Sequence, residues 1–207
     1  MGAGVFYPRG FDSRDVDDVL VADLTFVDPI AFDINNFTSG TIFGEWTIDM
    51  GSHLSFGAGV SYYSDHVPSF YPGFINENGS EITQDLRLRM VPITGIVRFM
   101  PFGTPQNFQP YVGIGVSAIN FRYSESGQFL DDNHNIFTDR FTATGTAFGP
   151  VLALGFRAPV GGHIYALTME WKYQWATGKT GGSAASFLGD KIDLSGGNLN
   201  FGFLVRF

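Results

Sequence analysis

Hydrophobic residues recur along this chain at every second position. The clearest run sets Tyr165, Leu167, Met169, Trp171, Tyr173 and Trp175 on one face and Ala166, Thr168, Glu170, Lys172 and Gln174 on the other. A period of two marks a strand with unlike faces, whereas an amphipathic helix would repeat at three and four. The same alternation separates Leu54, Phe56, Ala58, Val60 and Tyr62 from Ser55, Gly57, Gly59 and Ser61. It also separates Phe148, Pro150, Leu152, Leu154 and Phe156 from Gly149, Ala153, Gly155 and Arg157, and Ile42, Trp46, Ile48 and Met50 from Thr41, Glu45, Thr47 and Asp49. Between residues 82 and 101 the apolar parity changes at Pro92: Leu86, Leu88 and Met90 precede it, while Ile93, Val97 and Phe99 follow. Proline cannot donate to a ladder, so this position reads as a bulge that flips the faces.

These patterns predict eight strands, near 2–9, 36–50, 53–66, 82–101, 109–124, 143–158, 163–177 and 192–207. The connections alternate between short (51–52, 102–108, 159–162) and long (10–35, 67–81, 125–142, 178–191). An even strand count with alternating loop lengths is the pattern of an up-and-down barrel, short turns at one rim and long loops at the other. Volume decides which face is interior. An eight-stranded barrel is just wide enough for side chains to fill, so the face bearing Gly57, Gly59, Gly113, Gly115, Gly149, Gly155 and Gly202 belongs inside, and the Trp, Tyr, Phe, Leu and Met face belongs outside, against lipid. The expected fold is therefore all-β: an eight-stranded antiparallel up-and-down transmembrane β-barrel formed by one domain, 1–207.

That parity sends charge inward. Glu45, Asp49, Asp85, Arg87, Arg89, Arg98, Arg157, Glu170, Lys172 and Arg206 would meet in the lumen, and Glu45, Arg98, Arg157, Glu170, Lys172 and Arg206 are the expected network that closes it. Leu167, Met169, Trp171, Leu152, Leu154, Val60 and Phe203 are expected to face lipid. Trp175, Tyr173, Tyr62 and Tyr7 are expected at the long-loop rim, and Phe99, Phe102, Phe108 and Tyr165 at the short-turn rim, where amphipathic rings favour the headgroup level.

Composition narrows the alternatives. With 44 % hydrophobic and 15 % charged residues the chain is too apolar for disorder, and a net charge of -8 argues against a nucleic-acid partner. Cys is absent, which removes disulfides and thiolate chemistry. No apolar run reaches the roughly 18 residues of a spanning helix. The N-terminus lacks a basic region followed by an apolar one, so the chain reads as a mature form whose signal peptide has been removed.

The last ten residues, NLNFGFLVRF, resemble the C-terminal signal read by the bacterial outer-membrane assembly machinery, with Asn200, Gly202, Val205 and terminal Phe207 at its spacing. The segments DLRLRMVPITGIVRFMPFG, QPYVGIGV, FRYSESGQF, GTAFGPVLALGFR and KIDLSGG are similar to small outer-membrane β-barrel proteins of the OmpA/OmpX type and of the W family. The resemblance implies a barrel in the outer membrane of a Gram-negative bacterium, with short periplasmic turns and long extracellular loops. It further implies outer-membrane lipid, lipopolysaccharide and the assembly machinery as partners. It implies no single activity, since members serve adhesion, defence and uptake of small hydrophobic molecules. The connection from Phe11 to Asn35 is longer than in the shortest members, which leaves open whether it caps the barrel.

Candidate chemistry is sparse. His66 lies near Ser64, Asp65 and Ser69 at the long-loop rim, but without the His-x-Ser spacing of barrel deacylases; His53, His134 and His163 are scattered. Asp12, Asp15, Asp17, Asp18, Asp23, Asp28 and Asp33 crowd the first long connection, and Asp131, Asp132 and Asp139 the third, in no spacing that matches a calcium loop. The expectation is no catalytic residue, metal or cofactor. Two functions compete: a structural or surface-interaction barrel with a plugged lumen, and a narrow channel or transporter for small molecules, hydrophobic ones included.

Overall fold

The structure is a computed structural model that describes residues 1–22, 24, 30–104, 107–131, 133–160, 164–182 and 186–205. Eight long strands close a barrel: β1 (Gly2–Pro8), β2 (Ser39–Met50), β3 (Leu54–Ile75), β4 (Glu81–Phe99), β5 (Gln109–Leu130), β6 (Ile136–Val160), β7 (Tyr165–Gln174) and β10 (Gly196–Val205). Each is antiparallel to its neighbours, and β1 pairs with both β2 and β10, so no edge is left open. Two short strands, β8 (Thr177–Lys179) and β9 (Lys191–Asp193), form a separate hairpin within the last long connection. A four-residue helix, α1 (Val19–Ala22), and a 3₁₀ turn at Ile34–Phe37 shape the first.

Three features depart from the sequence expectation. The connections expected at 67–81 and 125–142 are mostly strand, because β3–β4 and β5–β6 continue as hairpins to the tight turns around 76–80 and 131–135. The last two long strands are shorter than expected, β7 ending at Gln174 and β10 starting at Gly196. There is also no bulge at Pro92. The β4–β5 pairing runs unbroken from Gln84↔Gly127 to Phe99↔Val112, with Pro92 opposite Ile119.

Since the backbone alternation never slips, the faces of β4 keep their identity and only their chemistry changes. Ile82, Leu86, Leu88 and Met90 point inward and are buried, as Ile96 and Arg98 are further down the same face. Asp85, Arg87 and Arg89 therefore point outward and are not in the lumen, contrary to the sequence reading. The same reversal occurs on the neighbouring strands. Outward residues change from Val60 and Tyr62 to Ser64 and His66 on β3, from Val116 and Ala118 to Asn120 and Arg122 on β5, and from Phe148 to Thr146 and Thr144 on β6. Inward, Tyr63, Val67, Ile119, Phe121, Tyr123, Ala143 and Ala147 join one apolar core.

The barrel thus has two halves. Toward the short turns it is polar within and apolar without. Toward the long loops it is packed like a water-soluble protein. The upper core is completed by the first connection, which folds inward: Val19, Leu20, Ile34 and Phe37 are all buried in it, and the Tyr63 hydroxyl donates to the Phe37 carbonyl. The last connection closes over it, with Phe187, Ile192 and Leu194 in the same cluster, and Gly189 so close to the Val19 backbone that a Cβ would meet it. Gly149 makes a tighter approach, to the Trp175 carbonyl, where β6 passes the end of β7.

If the upper half is a true core, Phe121→Ala should cost about 3–5 kcal/mol, the cost of emptying a buried aromatic position. Thr144→Ala, exposed on the outer wall two strand positions from Thr146, should stay within about 0.5 kcal/mol. Urea titration of the folded barrel in detergent, followed by Trp fluorescence, measures both. Equal effects would mean that the faces are assigned the wrong way round.

Candidate functional site

The charged layer lies in the lower lumen, one or two turns of alternation above the short-turn rim. Glu45 on β2, Arg98 on β4, and Glu170 and Lys172 on β7 arrive there because each occupies an inward position of its strand. Arg98 bridges the barrel: its guanidinium lies 2.7 Å from a Glu45 carboxylate oxygen and 2.8 Å from one of Glu170. Lys172 adds contacts of 3.1 Å to Glu170 and 3.7 Å to Glu45. Thr47 donates to Glu45 and the Tyr111 hydroxyl to Glu170, so most acceptor sites of both carboxylates are filled. Two acids and two bases make this cluster neutral.

Arg157 forms a second pair lower down, 3.1 Å from Asp49, and donates to the Ser55 hydroxyl. The Tyr111 ring joins the two groups, with the Arg98 and Arg157 guanidinium carbons 5.3 and 5.7 Å from its centroid. Small residues give this layer its space. A Cβ on Gly57 would come 2.5 Å from the Arg98 Nη1, and one on Gly113 would crowd the Arg98 stem. Nη1 is buried and has no hydrogen-bond partner among the described residues.

The layer separates two spaces. Below it a vestibule of about 640 Å³, lined by Glu45, Asp49, Arg98, Tyr111, Arg157 and Glu170, opens toward the short-turn rim. Above it a cavity of about 30 Å³ lies between Lys172, Thr94 and Asn198 on one side and Phe6, Tyr63 and Met90 on the other. That is room for about one or two waters. Past it begins the apolar core.

Of the sequence-predicted residues, Glu45, Arg98, Glu170 and Lys172 meet in one cluster, with Arg157 beside it. Arg206 and Phe207 lie outside the described residues. Asn200 is buried facing inward on β10, Gly202 faces Gly2 and Thr168, and Val205 is exposed opposite Tyr165. Sequence reasoning missed Tyr111 and Ser55. Both sit at inward positions beside charged ones, which is the signal that would have found them.

The other candidates do not assemble. His66 and Ser64 point outward, whereas Ser69 is buried on the opposite face of β3. His53 Nδ1 lies 2.7 Å from the Ser52 hydroxyl at the short-turn rim, and the His134 ring stacks on Phe74; His163 lies outside the described residues. The acidic side chains hold loops together. Asp33 caps the 3₁₀ turn by accepting from the Asn35 N–H, and Asp15 and Asp17 pair with Lys191 at 3.7 and 3.3 Å. Asp18, buried, pairs with Arg14 at 3.0 Å and accepts the Leu20 and Asp193 N–H groups, tying the first connection to β9. Burial pushes the Asp18 carboxyl above its ordinary value, against the pull of Arg14 and those two donors. Asp131 is held below its usual range by donors from Asn135 and Asn133 in its turn. Asp23, Asp28 and Asp132 lie outside the described residues.

No protein-family model and no curated protein matches this chain. Among solved structures, the outer membrane protein OprG from Pseudomonas aeruginosa is similar over 98 % of this chain and 90 % of its own length, with a TM-score of 0.56 and 14 % sequence identity. At that identity the likeness is one of fold: this chain has the closed antiparallel barrel architecture of an outer-membrane protein.

The charged layer predicts an asymmetry between removing one partner and removing several. Glu170→Gln leaves Arg98 and Lys172 with one carboxylate between them and should cost about 3–5 kcal/mol, as for a broken buried pair. Adding Arg98→Met to that variant should recover part of the loss, because the uncompensated cation goes with it. Urea midpoints of the single and double variants in phosphatidylcholine vesicles test this.

Proposed function

We propose that the chain is an integral β-barrel of a bacterial outer membrane, a structural or surface-interaction barrel with a lumen closed at two levels. The observation that carries the membrane reading is the exposed apolar belt. Leu54, Trp46, Val60, Ile93, Val97, Phe99, Val112, Ile114, Val116, Phe148, Leu154, Leu167 and Phe203 all lie on the outer wall with no protein against them. Water does not tolerate a contiguous apolar band around a whole molecule, and lipid requires one. On β4 the belt runs from Val91 to Phe99, nine residues, within the roughly 9–11 that a tilted strand needs to span a bilayer. Exposed rings sit at its two ends, Tyr7, Tyr62 and Trp175 toward the long loops and Phe99, Phe102, Phe108 and Tyr165 toward the short turns.

Closure is supported by the neutral charged layer and, above it, by the inward-folded first connection. Together they set ion pairs and apolar side chains across the lumen at two heights, which is what supports the closed reading. The lumen residues bind one another and no catalytic role is assigned to any of them. Lipopolysaccharide and the assembly machinery are proposed partners, the latter through the C-terminal pattern that includes Asn200, Gly202 and Val205.

The vestibule of about 640 Å³ favours a second reading, a narrow channel or transporter for small molecules. Planar-bilayer recording separates the two. The unmutated barrel should show no steady openings, and Glu45→Gln with Glu170→Gln should lower its stability without opening it, because the upper closure persists. Discrete, single-sized openings of the unmutated protein would promote the transporter reading. A chain that stays monomeric in buffer without detergent would remove the membrane reading altogether.

A further inference from the structure

Four of the chain's 12 Lys and Arg residues, in a protein of net charge -8, stand together on one stretch of its outer wall. They are Arg87 and Arg89 on β4 and Arg122 on β5, with His66 of β3 opposite Arg87, and Arg140 on β6 two outward positions higher, level with Asp85; all are exposed. Arg89 and Arg122 are directly opposite each other in the β4–β5 ladder. Like charges placed so, with Cβ atoms roughly 4.5–5.5 Å apart, repel each other and destabilise the pair unless something anionic lies between them. Among the described residues no carboxylate pairs with either arginine; Asp85, outward on β4, lies 3.6 Å from Arg87 instead.

The position of this cluster is as telling as its charge. The outer wall turns from apolar to polar at matching register on four adjacent strands, along the row Tyr62, Val91, Asn120 and Thr146. Arg89 and Arg122 occupy the next outward positions above that row. On a barrel set in a bilayer by the belt below, that is where the phosphates of lipid headgroups lie. Arginine suits such a site because its planar fork takes a phosphate through two parallel N–H···O bonds.

We infer that this wall binds a phosphorylated lipid of the leaflet on the long-loop side, one phosphate seated between Arg89 and Arg122, with Arg87 at the next outward position above it. The inference rests on the membrane reading. It also explains why two arginines face each other without a counter-charge: the counter-charge belongs to the lipid.

The test uses the full chain in neutral detergent micelles and three probes: bisphosphorylated lipid A, the same lipid A with its phosphates removed, and inorganic phosphate. The unmutated protein should retain bisphosphorylated lipid A in native mass spectrometry and lose it when the phosphates are removed. Arg89→Gln with Arg122→Gln should weaken retention about thirty-fold, two arginines at the contribution usual for basic side chains at an anionic lipid surface. Without lipid the same double variant should melt higher than the unmutated protein, since the repulsion is gone. Lipid A should raise the melting point of the unmutated protein alone. Equal retention of phosphorylated and dephosphorylated lipid would overturn the inference, as would equal retention by the double variant or full displacement by inorganic phosphate. The first of these comparisons uses only unmutated protein, so it stands even if the double variant does not fold. Heat-modifiable migration after insertion into phosphatidylcholine vesicles reports the membrane reading separately. A chain that inserts but ignores the lipid phosphates fails only the lipid inference.

Discussion

A strand cannot choose which side its next residue takes: successive side chains alternate, and where the pairing carries no bulge, as along β4–β5 and β5–β6, they do so without a break. Everything in this molecule follows from carrying that fixed alternation through two media. On β4 the inward set is Ile82, Leu86, Leu88 and Met90 above Pro92, and Thr94 and Arg98 below it, on one continuous face. In the lower half, where the outside is apolar, polar groups must go in and satisfy one another. In the upper half, where the outside is wet, the interior can hold an ordinary apolar core.

Each half then sets its own packing problem. The lower lumen must hold ions inside an apolar wall, and it does so by balancing charge within small groups rather than across the barrel as a whole. Glu45 and Glu170 offset Arg98 and Lys172, and Asp49 offsets Arg157. Desolvation makes such pairs poor sources of net stability, so their value is that no strand can slip by one residue without delivering a charge to lipid. The upper lumen is wider than the strands' own side chains fill. It draws in the first connection, whose Val19, Leu20, Ile34 and Phe37 complete the core.

Strand number, closure and the lower-half faces were legible because a period-two pattern beside a glycine-rich face admits one answer by volume. The parity of the upper β4 was not. Leu86, Leu88 and Met90 out of phase with Ile93 and Val97 look the same whether the backbone bulges or the medium changes. One strand alone cannot separate these cases, but four can: a bulge is local, whereas the outward faces turn polar at Ser64, Arg89, Asn120 and Thr146, within one outward position of each other. The same reversal hid the upper hairpins, since their outward faces, rich in Ser, Thr and Arg, read as loops. Arg98's bridge to two strands was also beyond the sequence, which gives a face but not which inward residues share a height.

The charged layer and the upper apolar core rest on different interactions, and this shapes how the barrel responds to change. Only a cavity of about 30 Å³ lies between them, yet no side chain of the charged cluster forms an ion pair with the first connection among the described residues. The layer depends on electrostatics inside a low-dielectric wall, and the core on apolar burial beneath water-exposed loops. A neutralising substitution acts on the first, while denaturant and loop shortening act on the second. The first connection is further anchored by Asp18, which accepts the Asp193 N–H, and by Lys191 with Asp15 and Asp17, so its hold passes through β9 rather than through the membrane wall. A surface ligand that moved these loops would therefore reach the upper core directly and leave the charged layer in place, because the coupling between them is no stronger than the packing across that one small cavity.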